Sequence, residues 1–429
     1  MSNSIPSFDS LGLSSQLLEN ITQAGFKVPT EIQLTAIPHV FSHHDLLAGA
    51  QTGTGKTAAF GLPMIQMLAQ LNQQEENQST LKNRVQGLIL VPTRELAQQV
   101  YDSLKTYCGE IELIIEVAYG GTSLNVQKSR LRQGADILVA TPGRLIDHIF
   151  TKTISLAELK MLVIDEADRM LDMGFLPDIQ RIMQRLPKQR QTLFFSATFE
   201  EQIKKLAYKI LDNPKEVQVS PQNSTADTVS HIVYPVDRKR KSELLAYLIG
   251  SRNWQQVLVF TKTKQSTDAL VKELKLDGIK AASIHGDKSQ GARQKALDDF
   301  KSGKVRALIA TDVAARGIDI IELEHVINYD LPYKAEDYIH RIGRTGRAGK
   351  AGNAVSFMAH HEEYLLKAIE DLLEKPLPQE WLKGFEPSLL EDIVEETEQP
   401  RRKLSRSEEK RKMKAKLNIH KNRGKKAKR

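Results

Sequence analysis

The segment Ala50-Gln-Thr-Gly-Thr-Gly-Lys-Thr57 is the first place where residue types and spacing could do chemistry. It fits the phosphate-loop pattern GxxxxGK(S/T), with Ala50 in place of the first glycine. Gly53 and Gly55 let backbone N–H groups close around phosphates at a helix N-terminus, with Gln51, Thr52 and Thr54 completing the loop. Lys56 brings a point charge to the β- and γ-phosphates, and the Thr57 hydroxyl can hold Mg²⁺. Far along the chain, Asp165-Glu-Ala-Asp168 follows the apolar run Met161–Ile164. Alone, such acids read as a solvated loop. With a phosphate loop in the chain they divide the labour: Asp165 holds Mg²⁺, largely through water, and Glu166 orients and deprotonates the attacking water.

A third cluster, His340-Arg-Ile-Gly-Arg-Thr-Gly-Arg-Ala-Gly349, spaces Arg341, Arg344 and Arg347 by three. Arginines broken by glycines suit an RNA backbone. This half of the chain, however, has neither a phosphate loop nor paired acids of its own. Arg344 and Arg347 are therefore expected as fingers reaching a triphosphate held by the other half, so that hydrolysis requires closure of a cleft.

The elements that must carry these groups are short apolar runs. Gly87-Leu-Ile-Leu-Val91 precedes Pro-Thr-Arg-Glu, Asp136-Ile-Leu-Val-Ala140 precedes Thr-Pro-Gly-Arg, and Met161–Ile164 precedes the acids. The second half repeats the layout with Gln256-Val-Leu-Val-Phe260, Val305-Arg-Ala-Leu-Ile-Ala310 and His325-Val-Ile-Asn328. Such runs, separated by helical stretches, read as buried parallel strands, and polar clusters just past their ends are where α/β sheets bind ligands. The expected organisation is a first α/β domain over 1–212, a linker over 213–230, a second α/β domain over 231–375 and an extension over 376–429.

Composition fits this plan. Of 429 residues, 40% are hydrophobic and 27% charged, which fills cores and excludes global disorder. A single cysteine, Cys108, excludes a disulfide framework and points to a reducing compartment. No signal sequence or membrane span is read, so a soluble, cytoplasmic protein is expected. The net charge of +8 is lopsided: residues 401–429 carry a net +13 and the rest a net −5. A flexible basic arm on an acidic body reads as a tether for a polyanion.

Taken together, these clusters resemble the DEAD-box ATP-dependent RNA helicases, from about Phe8 to about Gly349, with the arm outside the likeness. The resemblance implies two tandem RecA-like domains and RNA-stimulated ATP hydrolysis. It further implies local unwinding of short RNA duplexes or remodelling of RNA–protein complexes. Ser196-Ala-Thr198 matches the family's coupling triplet, with Asp168 as its contact, and Asp319, ending Thr311-Asp-Val-Ala-Ala-Arg-Gly-Ile-Asp319, takes the place of the ribose-binding aspartate. Gly25-Phe-Lys-Val-Pro-Thr-Glu-Ile-Gln33, with Phe8 upstream, resembles the adenine-reading Q motif. A Gln33 amide offers one donor and one acceptor to adenine and mismatches guanine, and Phe26 can stack on the base. For RNA the likeness points to Pro92, Arg94, Gly121, Thr141, Arg144 and Thr311, residues suited to phosphate and sugar contacts that position a strand without reading it. Lys375-Pro-Leu-Pro and Gly384-Phe-Glu-Pro387 look like the segment after the core in bacterial RhlE-type members.

Other signals read as ordinary. His43-His44 and His360-His361 lack metal-ligand company, Cys108 lacks a catalytic partner, and Arg238-Lys-Arg-Lys241 reads as a solvated edge. Two rivals remain open: an ATP-gated RNA clamp that does not turn over, and a DNA-translocating helicase.

Overall fold

The computed structural model describes residues 6–50, 54–74, 83–199, 201–219, 229–315, 323–346 and 352–388. The apolar runs are strands. The first half holds β1 (Leu46–Gly49), β2 (Val85–Leu90), β3 (Ile115–Ala118), β4 (Ala135–Ala140), β5 (Met161–Ile164), β6 (Gln191–Ser196) and β7 (Lys215–Gln218). They pair in parallel in the order β3-β4-β2-β5-β6-β1-β7. The second half holds β8 (Val229–Pro235), β9 (Val257–Phe260), β10 (Ala281–Ile284), β11 (Ala307–Ala310), β12 (His325–Asn328) and β13 (Gly352–Met358). Their order, β10-β11-β9-β12-β13-β8, again all parallel, repeats that of the first sheet without its last strand.

Burial on both faces is why these strands read as continuous apolar runs. Ile89, Val163 and Phe195 pack into one core with the helices Glu31–Phe41, Lys56–Gln74 and Arg94–Cys108. Their neighbours Leu88, Ile164 and Phe194 pack into another, with Pro142–Phe150, Ala167–Asp172 and Leu176–Met183. Helices start at threonines just past the strand ends. Thr93 accepts from the Leu96 N–H at 3.2 Å, and Thr141 precedes a helix with proline in its first turn. Among the described residues, no helix is long and apolar enough to cross a membrane.

Three expectations need correction. The join at 213–230 is too wide: β7 lies inside it and pairs with β1, while β8 opens the second sheet at Val229. The chain beyond 375 is not all extension. Leu377 is buried, Gln379 pairs with Val233, and Leu382 and Phe385 pack on the second core, so residues 377–388 form a strap along the β8 edge. Finally, Lys241 is not solvated. Its Nζ is buried 2.6 Å from Glu362, with the Tyr329 and Phe357 carbonyls at 3.1 and 3.3 Å. A buried ammonium needs such partners.

Candidate functional site

The phosphate loop leaves β1 at Ala50, whose N–H donates to the Ser196 carbonyl at 3.0 Å, and delivers Lys56 at the start of the helix Lys56–Gln74. Gln51, Thr52 and Gly53 lie outside the described residues, and Thr54 and half-buried Thr57 flank the turn. Gly55 has φ +91°, and a Cβ there would sit 2.4 Å from Gln33 Nε2, so only glycine fits. Gln33 is buried. Its Nε2 donates to the Gly55 carbonyl at 3.1 Å and its Oε1 accepts from the Thr30 N–H at 2.9 Å. The residue expected to read adenine thus ties the upstream motif to the phosphate loop. Half-buried Phe26 meets Phe8 and Tyr107 edge to face at 6.1 and 5.6 Å. Phe8 is buried and supports Phe26 rather than facing a ligand itself.

Across the strand ends, Asp165 Oδ1 stands 3.8 Å from Lys56 Nζ, with both side chains buried. Lys56 Nζ makes no hydrogen bond among the described residues. Burial raises the Asp165 carboxyl above its ordinary value, Lys56 opposes the shift, and the Glu166 and Asp168 carboxylates add to it. Asp168 is raised too, chiefly by burial, and its Oδ1 has no hydrogen-bond partner among the described residues. Glu166 takes the left-handed conformation, φ +54°, and pairs with buried Arg169 at 2.7 Å. That strain in a non-glycine residue, at the end of β5, is typical of a functional turn. Asp168 Oδ2 accepts from the Ala197 N–H at 3.3 Å, while Ser196 Oγ donates to the Thr198 carbonyl at 2.8 Å. Asp168 therefore meets the triplet at its middle residue, Ala197, while Ser196 and Thr198 bond to each other. A cavity of about 230 Å³ adds His340, Asp337 and Lys334 of the second domain to Asp168 and Thr198.

A larger cleft of about 470 Å³ lies farther along the same edge, lined by Pro92, Arg94, Thr141 and Arg144 from the first domain and Gly286, Arg293, Val313 and Ala314 from the second. Gly121 serves it indirectly: at φ +80°, its missing Cβ leaves room for the Arg94 guanidinium, which would otherwise stand 1.9 Å away. Arg144 is held by the Thr122 carbonyl, Gln127 and Asp147. Thr311 does not line the cleft. Its carbonyl accepts from the Ala314 and Ala315 N–H groups and so fixes the turn that presents Val313.

The comparisons agree with this geometry. The DEAD/DEAH box helicase pattern matches residues 30–206, and that of the helicase conserved C-terminal domain matches 240–349. The DEAD-box ATP-dependent RNA helicase CshA of Streptococcus pneumoniae serotype 4 is 40% identical over 392 residues, 91% of this chain and 72% of that protein. The chain belongs to the DEAD-box ATP-dependent RNA helicases. ATP-dependent RNA helicase DeaD of Haemophilus influenzae is also 40% identical, over 86% of this chain and 59% of that protein. Among solved structures, S. cerevisiae Dbp5 bound to RNA and ADP BeF3 superposes with a TM-score of 0.75 at 30% identity, covering 91% of this chain and 98% of that one. The two sheets of this helicase are therefore RecA-like domains, and the protein couples ATP use to RNA unwinding.

Sequence reasoning missed several residues of the helicase. Glu95 accepts from Arg293 at 2.9 Å and from Gln290 at 3.2 Å, clasping the two domains beside the cleft. Lys334 bridges to Asp172 across the same interface. Met173 and Phe175 give the cleft an apolar wall. Arg341, in step with the expected fingers, is instead a buried pillar: it grips Asp312 at 2.6 and 2.8 Å, Asn328 at 3.1 Å and the Asp330 carbonyl at 2.6 Å. Arg344 is buried and shares a small interdomain cavity with Arg169. Arg347 and Asp319 lie outside the described residues.

Proposed function

We propose that this helicase grips single-stranded RNA in the cleft when ATP draws the domains together, and separates short duplexes locally by holding one strand bent. The observation that carries this reading is the shared lining: Arg94, Thr141 and Arg144 on one wall, Arg293 and Val313 on the other. A grip built from two walls exists only when they meet. RNA and ADP BeF3 on similarly arranged Dbp5 support it.

On the nucleotide side, Lys56 is a buried ammonium without a hydrogen-bond acceptor among the described residues, and Asp165 is a buried carboxyl raised by its surroundings. That pair suits a triphosphate with a divalent cation. Thr57 and Asp165 would hold Mg²⁺, largely through water, and when bound it neutralises phosphate charge. Lys56 then binds the β- and γ-phosphates, with Gln51, Thr52, Gly53, Thr54 and Gly55 supplying the loop. Glu166, oriented by Arg169, takes the proton of the attacking water at its carboxylate. Arg344 and Arg347 complete the pocket from the second domain, and Asp319 meets the ribose. Phe26 stacks on the base, and Gln33 links base recognition to the loop. Asp168, Ser196 and Thr198 pass the pocket's state to the cleft. Pro92 and Thr311 shape its walls. RNA over DNA would rest on 2′-OH contacts.

The basic arm, 401–429, acts as an RNA tether; the protein works in the cytoplasm, in ribosome assembly or RNA turnover. The motif after the core supports an RhlE-type assignment. The test is Glu166→Gln. Turnover should fall by about 10²-fold or more while ATP binding and ATP-dependent RNA retention persist. Near-normal steady-state ATPase would remove Glu166 from the mechanism, and loss of retention together with turnover would instead indicate a binding defect.

A further inference from the structure

The strap fixes where the chain's acidic stretch begins. Along β8, the Val233 N–H donates to the Pro378 carbonyl at 2.8 Å and the Glu380 N–H to the Val233 carbonyl at 2.9 Å. Eight residues on, the Ser388 N–H donates to Asp237 Oδ1 at 2.8 Å. The chain therefore reaches residue 389 beside Arg238-Lys239-Arg240. Arg238 and Lys239 are exposed and make no ion pair among the described residues. Arg240 lies over the Phe385 ring at 4.9 Å and pairs with Glu243. Tyr247, half exposed, packs against the same ring at 5.5 Å. A basic surface with an aromatic edge thus stands at the end of the strap.

The next ten residues complement it. Glu391, Asp392, Glu395, Glu396 and Glu398 supply five negative charges. Leu389, Leu390, Ile393 and Val394 fall in pairs four apart, the spacing that puts apolar groups on one side. At a reach of at most about 3.6 Å per residue, Glu391 stays within about 11 Å of Ser388, so the two surfaces meet at high effective concentration.

We propose that residues 389–398 dock on this face of the second domain, the acids on Arg238 and Lys239 and the apolar pairs on Tyr247 and Phe385. Docking there keeps five carboxylates off the net +13 arm and leaves it open to RNA. This consequence rests on the tether reading; the docking itself does not.

The test uses the intact chain carrying Glu243→Cys and Thr397→Cys, which leaves all five acids, Arg238 and Lys239 in place; Glu243 is exposed one helical turn before Tyr247. Cys108 is buried and stays silent. With oxidised glutathione as oxidant, the intramolecular disulfide should form at least tenfold faster than in a Glu243→Cys, Ser407→Cys control. Adding Arg238→Glu and Lys239→Glu should bring the rate down to that of the control, and so should high salt. A rate equal to the control, insensitivity to both charge reversal and salt, or a disulfide formed between two copies would overturn the proposal. Because ATPase does not enter the readout, failure here is distinguishable from failure of the RNA-tether reading.

Discussion

Arg293 and Glu95 meet at 2.9 Å, each about one-tenth exposed, and Gln290 adds a hydrogen bond at 3.2 Å. They belong to different domains, so the pair exists only when the cleft is closed. In the open protein both groups are hydrated. Truncating one partner of a hydrogen-bonded, largely desolvated ion pair costs about 2–5 kcal/mol, because the other charge is left without its partner. The remaining exposure and Gln290 favour the lower end. At about 1.4 kcal/mol per factor of ten, a loss of about 2 kcal/mol lowers the closed-to-open ratio by about 30-fold. Glu95→Ala and Arg293→Ala should each raise the RNA concentration for half-maximal ATPase stimulation by about ten- to thirty-fold. Interdomain energy transfer with a non-hydrolysable ATP analogue and RNA should report fewer closed molecules. The double variant should be little worse than either single one, since no stranded charge remains, giving a coupling of at least about 1.5 kcal/mol. Strictly additive effects would refute the clasp, as would single variants within twofold of the wild type.

Gln33→Ala should narrow the preference for ATP over GTP and also raise KM for both by about tenfold, because it strands the Gly55 carbonyl and the Thr30 N–H. A change in selectivity alone would detach Gln33 from the loop. Removing residues 401–429 deletes a net +13 and should leave maximal ATPase intact while raising the RNA needed for half-stimulation. If the arm makes about four phosphate contacts, the log–log salt slope should flatten by about three units; an unchanged slope would exclude the tether. Burial lowers His148 to about 4, with Arg144 and Lys128 adding and Asp147 opposing. The unfolded chain, with an ordinary value of 6.5, then takes up a proton that the fold refuses. Stability present above pH 6.5 is therefore lost as pH falls toward 4, about 2 kcal/mol of it by pH 5. Thermal unfolding between pH 7 and pH 5 should fall less in His148→Gln, and an identical fall would refute the assignment.

Strands whose side chains are buried on both faces could be read from sequence because burial leaves only apolar runs. β7, Lys-Glu-Val-Gln, could not: an edge strand with three exposed side chains looks like a linker. β3 and β10 were likewise too short and mixed to stand out. The phosphate loop and the acids could be read because their chemistry fixes local spacing. The Glu95–Arg293 clasp had no such signal, since its members lie in separate domains and each alone is an ordinary helix charge. Arg341 is the opposite case, a conspicuous residue with no visible sign of its role. It keeps step with Arg344, yet burial under Phe260 and a two-pronged grip on Asp312 make it a support. Lys241 sat in a basic run whose other members are surface residues, and only the fold reveals Glu362 beneath it.

The place of β1 in its sheet bears on how the protein is made. β1 carries the phosphate loop, yet it lies between β6 and β7, strands that leave the ribosome last in that domain. Its pairing partners end at Gln218, about 170 residues after Gly49. At about 5–20 residues per second, the nascent chain waits about 10–30 s with β1 unpaired. Parallel pairings across so long a loop form slowly and late. Lys56 and Asp165 therefore cannot meet in a half-made domain, and a ribosome stalled before β6 displays no ATP pocket.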